Sequence, residues 1–107
     1  MKRSYKFTLL RTDGSSQTYV YDSRPTFKDL YPLINTDIIE IVGCYKDNKT
    51  KTMLIDEEGR LKQNPVVNPN ATKFFVDWLN KENRATPIPN IVGNAIVCEN
   101  FKVLWGF

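Results

Sequence analysis

The chain has 107 residues, with fifteen Lys and Arg against twelve Asp and Glu, a net charge of +3, and 41% hydrophobic residues. These values suit one globular domain and exclude a disordered charged tail. No apolar run approaches the ~20 residues that cross a bilayer, and zero histidine excludes Ser–His–Asp and Cys–His catalysis and removes the commonest metal ligand.

The chain opens with "SYKFTLLR" (residues 4–11), rich in strand formers, then the turn signal Asp13-Gly14, then the alternating "QTYVYD" (17–22). This order predicts a β-hairpin. "RPTFKDLYPLI" follows, where Thr26 and Asp29 form a capping box and Phe27, Leu30, Tyr31 and Ile34 share one helical face. Pro32 conflicts with a long helix, so the spacing predicts a short one ending near Tyr31.

"DIIEIVGCYKDNKTKTMLIDEEG" carries two strand-like runs around a polar tip and predicts a second hairpin over 37–45 and 51–56. Gly43 suggests a bulge or a close backbone approach, and Gly59 a positive φ in a tight turn. "NPNATKFFVDWLNKEN" is the clearest helix: Asn68 is its N-cap and Pro69 its first residue. Ala71, Phe74, Phe75, Trp78 and Leu79 form its apolar stripe, read as core. "IVGNAIVCEN" is apolar on both faces and belongs at the centre of a sheet. The tail "FKVLWGF" reads as an edge strand, a packed terminus or a self-association patch. The expected fold is one α+β domain over 1–107, an antiparallel or mixed sheet of about five strands packed with two helices.

The basic stretch "YKDNKTK" reads as a solvated hairpin tip, and acids are mixed through the chain, so nucleic acid is not the expected partner. Cys44 and Cys98 each sit in an apolar strand-like run and are expected as two buried thiols in a reducing compartment. The N-terminal apolar part is too short for a signal peptide, so a cytoplasmic protein is expected.

"IVG", "IDEEGRL", "NPNAT" and "IVGNAIV", in that order, resemble a family of small uncharacterised domains common in bacteriophages and mobile elements. The resemblance runs from about Asp37 to Cys98, and "YKFTLLRTDGS" is similar to the family's usual opening. It implies an α+β domain of phage or mobile-element origin acting in a host cell, and it assigns no activity.

Asp56, Glu57 and Glu58 invite a metal-site reading, and on a strand Asp56 and Glu58 would share a face. Glu40, Asp47 and Asp77 bear no patterned relation to them. The triplet therefore reads as a solvated turn, with Glu57 or Glu58 accepting backbone N–H groups or pairing with Arg60; ligand contact and metal catalysis are the competing readings. Asn68 reads as a cap, with ligand contact at an open helix N-terminus as the alternative. Gly93, with Asn94 beside it, lets either an aromatic ring or a ligand come close. Tyr45 is a candidate exposed aromatic.

The expected function is a non-enzymatic binding protein without cofactor or metal. In keeping with the phage resemblance, it would be a counter-defence protein that sequesters a nucleotide-derived signal. Its candidate ligand contacts are Gly43, Tyr45, Glu57, Arg60, Asn68, Gly93 and Asn94. A homo-oligomer is expected, with a nucleotide-like small molecule or a host protein as partner. The alternatives are an adaptor using a sheet edge or the C-terminal tail, a metal-dependent nucleotide hydrolase, and a weak nucleic-acid binder.

Overall fold

The computed structural model describes residues 4–36, 38–42, 52–62, 65–81, 83 and 90–98. Five antiparallel strands form one sheet: β1 (Tyr5–Leu10), β2 (Ser16–Tyr21), β3 (Ile39–Val42), β4 (Thr52–Asp56) and β5 (Ala95–Cys98), in the order β2-β1-β5-β4-β3. The helices are α1 (Phe27–Leu30) and α2 (Pro69–Lys81). This is the expected α+β domain. Among the described residues no helix is long and apolar enough to cross a membrane.

The first hairpin turns where Asp13-Gly14 predicts it. The Arg11 N–H donates to Ser15 O at 2.9 Å and Gly14 N–H to Arg11 O at 3.1 Å, while Gly14 takes φ +90°. That geometry is a type I turn closed by a left-handed residue, which favours glycine. The second pair, β3 with β4, is joined to the first by β5, which inserts between β1 and β4. All four β5 residues are buried, as its two-sided apolar pattern requires.

The two faces of the sheet bury separate cores. Phe7, Leu9, Leu54, Ile96 and Cys98 face α1 and the 3-10 turn after it, meeting Phe27, Leu30 and Ile34. Met53, Ile55, Ala95 and Val97 face α2 through Ala71, with Phe74 and Phe75 packed alongside. Trp78 stacks on Phe75 with ring centroids 6.0 Å apart.

The capping box of α1 forms: Asp29 N–H donates to Thr26 Oγ1, and Thr26 N–H to Asp29 Oδ2. Pro32 does not break the chain. It sits inside the 3-10 turn Tyr31–Leu33, where it interrupts no α-helical ladder. The turn ends at Asn35, in the left-handed region at φ +54°. Thr36 N–H donates to Tyr31 O and Asn35 N–H to Pro32 O, the paired bonds of a Schellman ending.

Two glycine expectations change. Gly59 has no positive φ; a Cβ there would come within 3.1 Å of Val92 O, so close backbone approach selects glycine. Gly93 is not inside a strand, and among the described residues no aromatic ring packs on it. It precedes β5 at φ +83°, with open space beside its Cα.

Candidate functional site

The ends of β1, β4 and β5 converge with the turn after α1 and the segment before α2. Val67 and Val92 form an antiparallel bridge there. Asn68 N–H donates to Ile91 O at 2.7 Å and Gly93 N–H to Val66 O at 2.9 Å, clamping the chain before α2 to the chain before β5. Beside this clamp lies a pocket of about 260 Å³. Thr12, Asn35, Asp56, Lys62, Gly93 and Asn94 supply its polar lining, and Ile34, Val66 and Val92 part of its apolar lining.

Asp56 organises one wall and answers what the acid triplet is for. Its side chain is 3% exposed. Thr36 Oγ1 donates to Oδ1 at 2.7 Å, Glu58 N–H to Oδ1 at 3.0 Å, and Lys62 Nζ lies 2.6 Å from Oδ2. Burial alone would raise its pKa. The hydrogen bonds from Lys62, Thr36 and the Glu58 amide outweigh burial and hold the carboxyl below its ordinary value. Lys62 also donates to Asn35 O. The buried acid therefore ties β4, the 59–61 turn and the post-α1 turn together.

Glu57 and Glu58 are both exposed. The turn's backbone donor goes to Asp56 rather than to a glutamate: Glu58 N–H donates to Asp56 Oδ1, and Glu57 N–H donates to Ile38 O. Arg60 falls in the 3-10 turn Gly59–Leu61. Among the described residues no group of three His, Cys, Asp or Glu could hold a metal ion.

Asn68 caps α2 as expected: its Oδ1 accepts Ala71 N–H at 3.0 Å. Its Nδ2 donates to Leu10 O at 2.9 Å and Gly93 O at 3.0 Å, and the residue is fully buried. The α2 N-terminus offers no open anion cradle at these positions. Ala71 N–H and Thr72 N–H are taken by Asn68, and Pro69 has none to give. Asn68 stands behind the pocket as a strut that fixes Gly93.

Gly93 and Asn94 do line the pocket. Asn94 Oδ1 accepts Thr12 N–H at 3.2 Å, and Nδ2 lies 3.4 Å from Leu33 O. Gly43 and Tyr45 lie outside the described residues, as do the basic hairpin tip, Cys44 and the C-terminal tail. Sequence reasoning missed Thr12, Asn35 and Lys62. Of these, Asn35 carried a signal: an asparagine just past a short helix marks a left-handed cap. Lys62 carried none, because a lysine after a turn is ordinarily a solvated side chain.

No family model, curated protein or solved structure matches this chain.

Proposed function

We propose that the chain is a non-catalytic binding module whose pocket takes a nucleotide-like small molecule. The observation that carries the reading is the joining of Gly93 and Asn94 to Asn35, Thr12 and the Asp56–Lys62 pair in one pocket with apolar walls. Apolar surface with a few convergent polar groups is the common make-up of small-molecule sites. The Asn35 amide offers a donor and an acceptor side by side, which suits the hydrogen-bonding edge of a nucleobase, while Asn94, bonded to Thr12 and Leu33, has one further hydrogen and one further lone pair to give. The valine and isoleucine walls suit its face.

Size narrows the ligand. At about 260 Å³ the pocket falls below the roughly 300–1,000 Å³ of drug-sized sites. A base or nucleoside moiety fits inside, and any phosphate extends toward solvent past Lys62, whose side chain is 41% exposed. The absence of histidine and the commitment of Asp56 to structural hydrogen bonds favour sequestration over hydrolysis. Counter-defence use by a phage follows from the motif resemblance alone.

Thermal shift with a panel of nucleosides, nucleoside monophosphates and cyclic nucleotides tests the reading. A ligand at 100 times its Kd stabilises by about 2.7 kcal/mol, or a rise of roughly 10–20 °C for a domain of this size. Val66 is exposed and lines the pocket, so Val66→Trp should block the site and abolish the shift. A panel without any shift, or a shift that survives Val66→Trp, refutes it.

A further inference from the structure

Sheet edges present unpaired backbone donors and acceptors, and proteins blunt them with short strands, charges or proline. The two edges of this sheet are treated differently. In its described span β3 is four residues long and includes Glu40. β2 runs six residues, "SQTYVY", with no charge, no proline and no glycine. Its exposed positions include Ser16, Thr18 and Val20, the last 62% exposed. Among the described residues no strand pairs with its outer side.

The register says which backbone groups are on offer. Arg11 N–H bonds Ser15 O, and the ladder continues as Leu9 with Gln17, Phe7 with Tyr19 and Tyr5 with Tyr21. Hydrogen-bonded and non-bonded pairs alternate in an antiparallel ladder. Gln17, Tyr19 and Tyr21 therefore turn their backbone groups toward β1, while Ser16, Thr18 and Val20 turn theirs outward.

We propose that β2 is a self-pairing edge: two copies of this chain join through antiparallel β2 strands about a two-fold axis at Thr18. In that register Ser16 pairs with Val20 of the second copy and Thr18 with Thr18 of the second copy. Every outward backbone group of the three residues is then satisfied. Gln17 lies opposite Tyr19 of the second copy, on the face where Tyr19 already stacks on Phe7 at 5.0 Å. No charges meet, and the cross-strand pairs are Thr, Ser, Val, Gln and Tyr, which suit a β surface. The result is one sheet of twice the five strands. The pairing is independent of the pocket's ligand.

Native mass spectrometry and sedimentation of the full chain at rising concentration test this. The expected result is a dimer whose fraction grows with concentration. Thr18→Pro removes an outward N–H from each copy while leaving the β1 ladder bonds in place, and should give a monomer with unchanged far-UV circular dichroism. Thr18→Lys and Thr18→Glu should each weaken the dimer about fivefold, since like charges then meet at the axis. An equimolar mixture of the two should recover a heterodimer, a readout that stands even if the proline variant fails to fold. A chain that stays monomeric at all concentrations overturns the proposal, as does a dimer indifferent to all three variants. A monomer that dimerises only after deletion of residues 101–107 also overturns it, because the edge is then covered by the chain's own tail.

Discussion

Replacing Asn68 should be the most damaging single polar change in the described core. Its amide makes three bonds to backbone: the acceptor caps α2 at Ala71, and the donors hold Leu10 O and Gly93 O. Asn68→Ala loses the cap, about 1 kcal/mol, and leaves two carbonyls without their donor, about 1 kcal/mol each. The sum, about 3 kcal/mol, is a large share of the 5–15 kcal/mol typical of a domain. Asn68→Asp is more informative. It keeps the cap but sets a carboxylate oxygen where the amide nitrogen now lies 2.9 and 3.0 Å from two carbonyl oxygens. The folded-state pKa of that acid must rise, so its penalty is full at neutral pH and shrinks as pH falls and the protonated acid donates to one carbonyl. Urea denaturation of wild type and both variants from pH 8 to pH 5 reads this. The expected Asn68→Asp penalty exceeds that of Asn68→Ala at pH 8 and narrows toward pH 5. An Asn68→Ala loss under about 1 kcal/mol, or an Asn68→Asp penalty flat with pH, would refute the strut.

Asp56 also has a pH signature, and here it is the native stabilisation itself that fades in acid. Its pKa is lowered on folding from 3.8, so its contribution is present above that value and fades as pH falls below it. Asp56→Asn keeps an acceptor for Thr36 and Glu58 but loses the Lys62 pair, and should cost about 1–3 kcal/mol at pH 7 and less at pH 3. Equal costs at both pH values, by urea midpoint, would contradict this. Gly93→Ala forces a Cβ into φ +83° and should cost about 1–3 kcal/mol, although the space beside it is open. A neutral result in the same assay would mean that backbone conformation is not what selects glycine there.

The sequence was readable where local chemistry decides structure. Asp13-Gly14 marks the first turn, Thr26 with Asp29 the start of α1, Asn68-Pro69 the start of α2, and the two-sided apolar run the central strand. It was opaque where groups distant along the chain meet. Asp56 finds Thr36 across 20 residues, and nothing in "IDEEGRLK" distinguishes the first acid, which buries, from the next two, which stay exposed. The glycines show the same limit. Gly59 responds to a carbonyl contributed by Val92 and Gly93 to its own φ, which inverts the roles that spacing suggests. Gly93 and Asn94 were legible as site candidates, but the pocket is completed by Asn35, Lys62 and Thr12, brought in from three other segments.

The most direct test of the central claim is native mass spectrometry of the chain purified from bacteria that make nucleotide signals, beside its Val66→Trp variant. The account predicts extra mass in the nucleotide range on the wild-type chain and none on the variant. A wild-type chain that carries no such mass, or a variant that retains it equally, would contradict a nucleotide-binding pocket.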